Sequence, residues 1–368
     1  MNDQAYMAQA LRLAEQGLYS THPNPRVGCL VVAGEQVVGA GWHQRAGEPH
    51  AEVHALRQAG VLARGATAYV TLEPCSHQGL TPPCADALVQ SGVQRVVIAM
   101  QDPNPQVAGR GIARLRGQGI QVDLLEGELT AAARALNCGF VKRMEQGLPF
   151  VRLKLAMSLD GRTAMASGES QWITGPAARA DVQVLRARSS AIITGADTVM
   201  TDNARLTVRA EQLPLDAELR DLALSRPPLR IVIDGGLRVS TDLAFFIAGP
   251  VLVVTHQKPP ANTANIEYIQ LPEVAGHVDL VALLQELGRR GVNELMVEAG
   301  PHLAGAFMQA GLVDELYIYM AATLLGSSAQ PLMQLPIDIM ADAVRLKITE
   351  MRALDDDWRI IARPLPAH

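Results

Sequence analysis

The sequence runs to 368 residues, enough for two domains at ~100–200 residues each. Hydrophobic residues make up 48% and aromatics only 4%, and 32 Lys+Arg against 37 Asp+Glu leave a net charge of −5, so neither the basic surplus nor the stacking platforms of a nucleic-acid binder are present. The first residues, with Asp3 and Glu15, lack the basic and apolar blocks expected of a secretory signal, no apolar run approaches the ~18–20 residues of a membrane span, and 4 cysteines are too few for a disulfide scaffold.

These counts predict a cytoplasmic, two-domain enzyme acting on a small molecule, with no nucleic-acid or membrane partner. In chain order, apolar residues from Tyr6 to Leu18 recur at helical spacing and predict a helix over 4–17. Strands follow at Val27–Ala33 and Val37–Trp42 around a Gly34-Glu35 turn, then a helix at His50–Ala59 and a strand at Ala68–Leu72. A helix at Cys84–Gln90, strands at Arg95–Ala99 and Ile120–Leu125 and a helix at Thr130–Arg143 complete a three-layer α/β unit over 1–147.

A second unit, 148–368, opens with a strand at Val151–Met157. Helices are expected at Pro176–Arg188, Asp279–Arg290 and Pro301–Ala310, and strands at Ala191–Thr194, Leu229–Asp234, Val251–Thr255 and Glu294–Val297. Leu213–Pro228 reads as a connector. Strands at Glu315–Met320, Arg345–Glu350 and Trp358–Ala362 close the unit, and this strand-rich end predicts a mixed sheet.

His50-Ala51-Glu52 with Pro74-Cys75 and Pro83-Cys84 is the strongest chemical signal. A catalytic zinc takes three N or S ligands and keeps one position open, which His50, Cys75 and Cys84 satisfy; both cysteines are expected at helix starts, where thiolates are favoured. Glu52, two residues from His50, is placed to move protons between water and a leaving amine. A closed structural zinc would recruit a fourth ligand, His77 or Cys138, and would not need Glu52.

This pattern resembles the cytidine-deaminase-like zinc hydrolases. The wide Cys75-to-Cys84 spacing, with His22-Pro23-Asn24-Pro25-Arg26-Val27-Gly28 upstream, resembles the deaminase half of the bifunctional deaminase/reductases of riboflavin biosynthesis. The resemblance implies pyrimidine contacts at Asn24, His43 and His77. Leu80 stands where relatives often carry Lys or Arg. A tRNA adenosine editor shares the His-Ala-Glu triplet, but the acidic charge speaks against it.

Glu298-Ala299-Gly300-Pro301-His302-Leu303-Ala304-Gly305-Ala306 follows a strand and opens a helix, a place suited to a pyrophosphate. Ala306-Phe307 replaces the Lys-Ser/Thr of a P-loop, and the spacing is not that of a Rossmann turn. Ser158-Leu159-Asp160-Gly161-Arg162, Gly195-Ala196-Asp197-Thr198-Val199 and Leu206-Thr207-Val208-Arg209 together resemble the reductase half of the same family, with Ala204 where relatives carry Pro. The resemblance implies a dihydrofolate-reductase-like fold for this half and a cytidine-deaminase-like fold for the first. It implies NADPH contacts at Ala156, Trp172, Thr198, Asp202 and Gly300 to Ala306, and substrate contacts at Ser170, Arg186, Leu206, Arg209 and Glu298. The expected ligands are therefore Zn2+, NADPH and a phosphorylated pyrimidine, in a homo-oligomer. Without the family, Arg186 reads equally as a solvated helix residue and Trp172 as core.

Overall fold

Asn2 caps the first helix, α1 (Asp3–Glu15), its side-chain oxygen accepting the Ala5 amide at 3.0 Å. The computed structural model describes residues 2–76 and 83–366 and divides into two units, Met1–Leu148 and Pro149–His368. In the first, β1 (Gly28–Ala33), β2 (Gln36–Trp42), β3 (Thr67–Val70), β4 (Arg95–Ile98) and β5 (Gln121–Leu124) form a sheet ordered β2-β1-β3-β4-β5. β1 is antiparallel to both neighbours, whereas β3, β4 and β5 are parallel. The helices are α2 (Ala51–Ala59), α3 (Cys84–Ser91), α4 (Arg110–Gly117), α5 (Glu128–Leu136) and α6 (Cys138–Gln146).

The two-residue period of a strand divides the core. Cys29 and Val31 of β1 pack with Ala55 of α2, Leu88 of α3 and Leu115 of α4. Leu30 and Val32 face the other way, toward Met7 and Leu11 of α1, Ala133 of α5 and Val141 of α6. The result is three layers, α/β/α.

Two local expectations change. The single helix expected at Thr130–Arg143 is broken at Asn137, whose buried side chain accepts the Arg26 amide (2.7 Å) and donates to the Arg26 carbonyl (3.0 Å). An amide committed to another segment's backbone competes with helix continuation. Cys75 lies in the loop after β3 and only Cys84 begins a helix.

The second unit has one large sheet built from β6 (Phe150–Ser158), β8 (Ala191–Gly195), β9 (Leu229–Ile233), β10 (Val251–Thr255), β11 (Ile266–Gln270), β14 (Glu294–Glu298), β15 (Glu315–Ala321), β17 (Leu346–Leu354) and β18 (Asp357–Pro364). Short pairs join β7 (Arg162–Ala164) to β16 (Gln330–Pro331) and β12 (Glu273–Val274) to β13 (His277–Val278). The large sheet is nine-stranded, ordered β11-β10-β9-β8-β14-β6-β15-β18-β17. Its strands from β11 to β15 are parallel, and β18 and β17 turn antiparallel, the mixed sheet expected.

Helices α7 (Pro176–Arg188), α8 (Ala196–Asp202), α9 (Ala217–Leu224), α10 (Ala244–Ile247), α11 (Leu280–Arg289) and α12 (Pro301–Gln309) cover it. Helix α9 lies inside the expected connector, capped by Asp216 onto the Leu219 amide. The parallel strands deliver Ser158, Gly195 and Glu298 to one edge, the carboxyl ends where open α/β sheets bind ligands. No helix among the described residues is long and apolar enough to cross a membrane.

Candidate active sites

Helix α2 lies on the glycines of β2. A Cβ on Gly39 would meet the Ala55 carbonyl at 2.1 Å, and one on Gly41 the Ala51 carbonyl at 2.6 Å. That close seat brings His50, the extended N-cap of α2, and Glu52 in its first turn to one end of the sheet. His50 Nδ1 lies 3.2 Å from Cys84 Sγ and 3.6 Å from Cys75 Sγ, and the three ligand atoms fall within 4.8 Å of one another.

Tetrahedral zinc with bonds of ~2.0–2.3 Å holds neighbouring ligand atoms roughly 3.5–3.8 Å apart. The donor set therefore fits zinc in type and spacing. Among the described residues the group is His50, Cys75 and Cys84; Cys138 is outside it, and His77 and Leu80 lie outside the described residues. The Cys84 thiol and amide and the His50 ring are directed at Cys75 Sγ and draw that thiol below its usual range.

Glu52 is 3% exposed, and burial pushes its carboxyl up to about 6 against the opposing pull of His50. Its Oε2 is buried with no hydrogen-bond partner. A cavity of about 480 Å³ opens there, lined among others by Asn24, His43, His50, Glu52 and Cys75. Burial lowers His43 to about 4, so the ring is neutral; with Nδ1 donating to the Pro49 carbonyl (3.2 Å), Nε2 accepts from Asn24 Nδ2 (3.1 Å). The ring thereby fixes the Asn24 amide.

Sequence reasoning missed Glu73, Asp102, Asn104 and Phe140, which line the same cavity. Glu73 is buried and accepts the amides of Asp102 (3.2 Å), Gly109 (2.9 Å), Gly111 (2.9 Å) and Ile112 (3.2 Å). It anchors the loop carrying Asp102 and Asn104 and the start of α4. The available signals were an acid beside Pro74-Cys75 and the Asp102-Pro103-Asn104-Pro105 turn. Glu73→Ala should destabilise this unit by at least ~3 kcal/mol, because four amides, three of them in buried contacts, lose their acceptor. Denaturant unfolding checks it, and a midpoint at the parent value would remove the anchoring role.

In the second unit Glu298 ends β14 and Arg186 lies on α7. Arg186 clasps both Glu298 oxygens (3.0 and 2.7 Å) and donates to the Thr207 carbonyl (3.0 Å). Lys154 Nζ stands 3.6 Å from the same carboxylate. Burial would raise the Glu298 carboxyl, but Arg186 and Lys154 overcome it and hold it at about 2. Arg186 thus commits two of its five donors to Glu298 and a third to the Thr207 carbonyl.

Arg209 is half-buried; its amide donates to Gln183 Oε1 (3.0 Å), and its guanidinium makes no ion pair among the described residues. Leu206 just before it is buried with φ +50°. Ser170 donates to Asp202 (3.3 Å), Thr198 is half-buried in the first turn of α8, and Ala156 lies within β6. Trp172 is 63% exposed with the Arg179 guanidinium 4.7 Å from its ring centre, so it is not core.

Of the Gly300–Ala306 segment, Gly300 caps α12 and Pro301 has no amide hydrogen. The Ala304 amide already bonds Gly300 (3.1 Å), and Ala304 and Gly305 are buried. The helix start therefore leaves the His302 and Leu303 amides without intrahelical partners.

Two family models match: the cytidine and deoxycytidylate deaminase zinc-binding region over residues 1–100, and the RibD C-terminal domain over 149–360. The riboflavin biosynthesis protein RibD of Escherichia coli is 53% identical over 97% of this chain and 98% of its own length. That of Haemophilus influenzae is 48% identical over 98% and 97%. A solved Acinetobacter baumannii RibD superposes with a TM-score of 0.90 at 45% identity, covering 99% of each chain. A Thermotoga maritima structure described as a diaminohydroxyphosphoribosylaminopyrimidine deaminase/5-amino-6-(5-phosphoribosylamino)uracil reductase gives 0.86 at 30%, again over 99% of each. A cluster of zinc-type ligands in one unit and charged side chains at the carboxyl ends of a parallel sheet in the other thus meet full-length relatives, and the chain belongs to the RibD family, the bifunctional deaminase/reductases of riboflavin biosynthesis.

Proposed function

We propose that residues 1–147 hydrolyse an exocyclic amine from 2,5-diamino-6-ribosylamino-4(3H)-pyrimidinone 5′-phosphate and that residues 148–368 reduce the product's ribosylamino group to ribitylamino. The chain is a bifunctional enzyme, a zinc-dependent hydrolase and an NADPH-dependent oxidoreductase. The observation that carries the deaminase half is Glu52 Oε2, buried and unpartnered beside three zinc-type ligands in a cavity of about 480 Å³, roomy enough for a substituted pyrimidine.

His50, Cys75 and Cys84 would hold zinc, a Lewis acid that lowers the pKa of water from 15.7 to roughly 7. Glu52 takes a proton from the attacking water and passes it to the leaving amine. Asn24, held by neutral His43, orients the pyrimidine edge.

In the reductase half, NADPH supplies the hydride. The His302 and Leu303 amides bind its pyrophosphate, with Trp172, Thr198, Asp202 and Ala156 along its length. Ionised Glu298, fixed by Arg186 and Lys154, accepts from sugar hydroxyls beside Ser170 and Leu206.

The Arg209 guanidinium takes the substrate phosphate, since a planar fork binds two oxygens. Arg209→Ala should weaken substrate affinity about ten- to a hundredfold, at ~1.5–3 kcal/mol per charged hydrogen bond, and barely change NADPH binding. Titrating both ligands separates the cases, and the reverse pattern would hand Arg209 to the cofactor.

The same proposal includes a homo-oligomer. Edge strand β17 exposes Ile348 and Met351, each 54%, beside Trp358 at 42%, apolar surface that a second copy would cover. None of the four cysteines is in a disulfide, as a cytoplasmic protein requires, and the net charge of −5 accords with a partner set free of nucleic acid and membrane. Ammonia release and NADPH oxidation by the purified chain on the pyrimidine phosphate test the whole reading; absence of either removes the corresponding half.

A further inference from the structure

The Ser158-Leu159-Asp160-Gly161-Arg162 segment touches no ligand in the assignments above, yet it organises much of the reductase cleft. Gly161, at φ +72°, turns the chain from β6 into β7. Asp160 then faces the distant 323–335 segment, accepting the amides of Leu325 on Oδ1 (3.1 Å) and Gly326 on Oδ2 (2.8 Å), with the Ser158 hydroxyl donating to Oδ1. The Leu159 amide donates to the Thr323 carbonyl (2.8 Å), the Leu332 amide to Gly161 (3.1 Å), and β16 pairs with β7. Residues 323–335 thus form a strap tied to the 158–164 hairpin.

The far end of the strap rests on α12. The Gln334 amide donates to the Pro301 carbonyl (3.0 Å), and a Cβ on Gly305 would come within 1.9 Å of the Gln334 carbonyl. Backbone meets backbone there with no side chain to yield. Any displacement of the strap must therefore be matched by the first two turns of α12, where the His302 and Leu303 amides lie. On the hairpin side, the Thr163 hydroxyl donates to the Ala156 carbonyl (3.0 Å), coupling the same turn to β6.

We propose that Asp160 is a positioning residue for the nicotinamide cofactor: it fastens the strap, and the strap sets where the first turn of α12 presents its amides. This rests on the assignment of the cofactor's pyrophosphate to that turn. The ionised state the role requires is favoured by the Ser158 hydroxyl and the two amides, which hold the carboxyl at about 2.

The test is NADPH titration and reductase kinetics on the full chain. Asp160→Ala should raise the NADPH dissociation constant and KM about tenfold, the loss of two charge-assisted contacts shared with the strap's other bonds. Asp160→Asn, which keeps one acceptor oxygen, should raise them about threefold. In both, kcat at saturating NADPH should stay within about twofold, a split that general loosening of the fold would not give. His302→Asp places a carboxylate at the helix start, where it suits the helix but repels a pyrophosphate. If His302→Asp weakens NADPH while Asp160→Ala leaves it within twofold, the positioning role is overturned and the cofactor assignment stands. If His302→Asp leaves NADPH unchanged, the assignment beneath the proposal falls, and the proposal with it. Should Asp160→Ala not fold, the Asn variant decides, and parent-like NADPH affinity there overturns the proposal.

Discussion

Glu52→Gln is expected to lower the rate of ammonia release by ~10²–10⁴-fold, the usual contribution of a general acid–base group, with zinc content unchanged. The side chain is 3% exposed and sits in the first turn of α2, two residues past the ligand His50. It belongs to neither the His50–Cys75–Cys84 group nor any closed hydrogen-bond network at Oε2. Gln keeps its size and removes only the proton-carrying function. Metal analysis of the purified variant beside an ammonia assay separates the possibilities. Lost zinc would make Glu52 a ligand, and a rate near the parent's would move the proton shuttle elsewhere in the cavity.

The second large effect concerns stability. Arg152 is 3% exposed and lies between the buried carboxylates of Glu294 and Glu315, bonded to Glu294 through Nη1 and to Glu315 through Nε at 3.1 Å. Arg188 reaches Glu294 (3.6 Å) and Arg363 reaches Glu315 (3.0 Å) from the outside. Arg152→Met removes the central charge and leaves two buried acids facing each other across three adjacent strands. The expected loss is ~3–5 kcal/mol in unfolding of the second unit. Replacing all three residues, as Arg152→Met with Glu294→Leu and Glu315→Leu, should recover most of it, since packed apolar side chains need no counter-charge. Denaturant curves for the parent, single and triple variants decide, and a single variant within ~1 kcal/mol of the parent would show the network to be dispensable.

How much of this was legible depended on whether the signal was local. Strands β4, β8 and β10 are short runs rich in β-branched residues and stood out directly. The metal ligands were readable because His50, Cys75 and Cys84 are residue types with few other uses together. The break at Asn137 was not, because its cause is the backbone of Arg26, 111 residues away. Likewise Arg186 and Glu298, 112 residues apart, were both expected to face substrate, whereas their bidentate pairing is a tertiary fact that neither neighbourhood announces. Helix α9 hid in a Pro- and Leu-rich stretch whose turn residues outweighed one good cap at Asp216. Glu73 was missed because a lone acid beside a motif resembles ordinary surface, and its four amide donors come from 29 to 39 residues downstream.

The sheet order of the second unit also bears on how that unit can be assembled. β14 lies between β6 and β8, yet β6 ends at Ser158 and β14 begins only at Glu294, the Arg152–Glu294 contact spanning 142 residues. Until β14 is in place, β6 and the β8–β11 block share no ladder, and the cleft lacks Glu298 as well as the helix start behind it. The sheet of the first unit, by contrast, starts from a hairpin between β1 and β2 that closes over a two-residue turn. Loop closure over long separations makes pairing slow, and domains emerging from the ribosome fold as units, the amino-terminal one first. The architecture therefore sets a sequence in time, with the deaminase fold accessible to the nascent chain well before the reductase sheet has a centre around which to close.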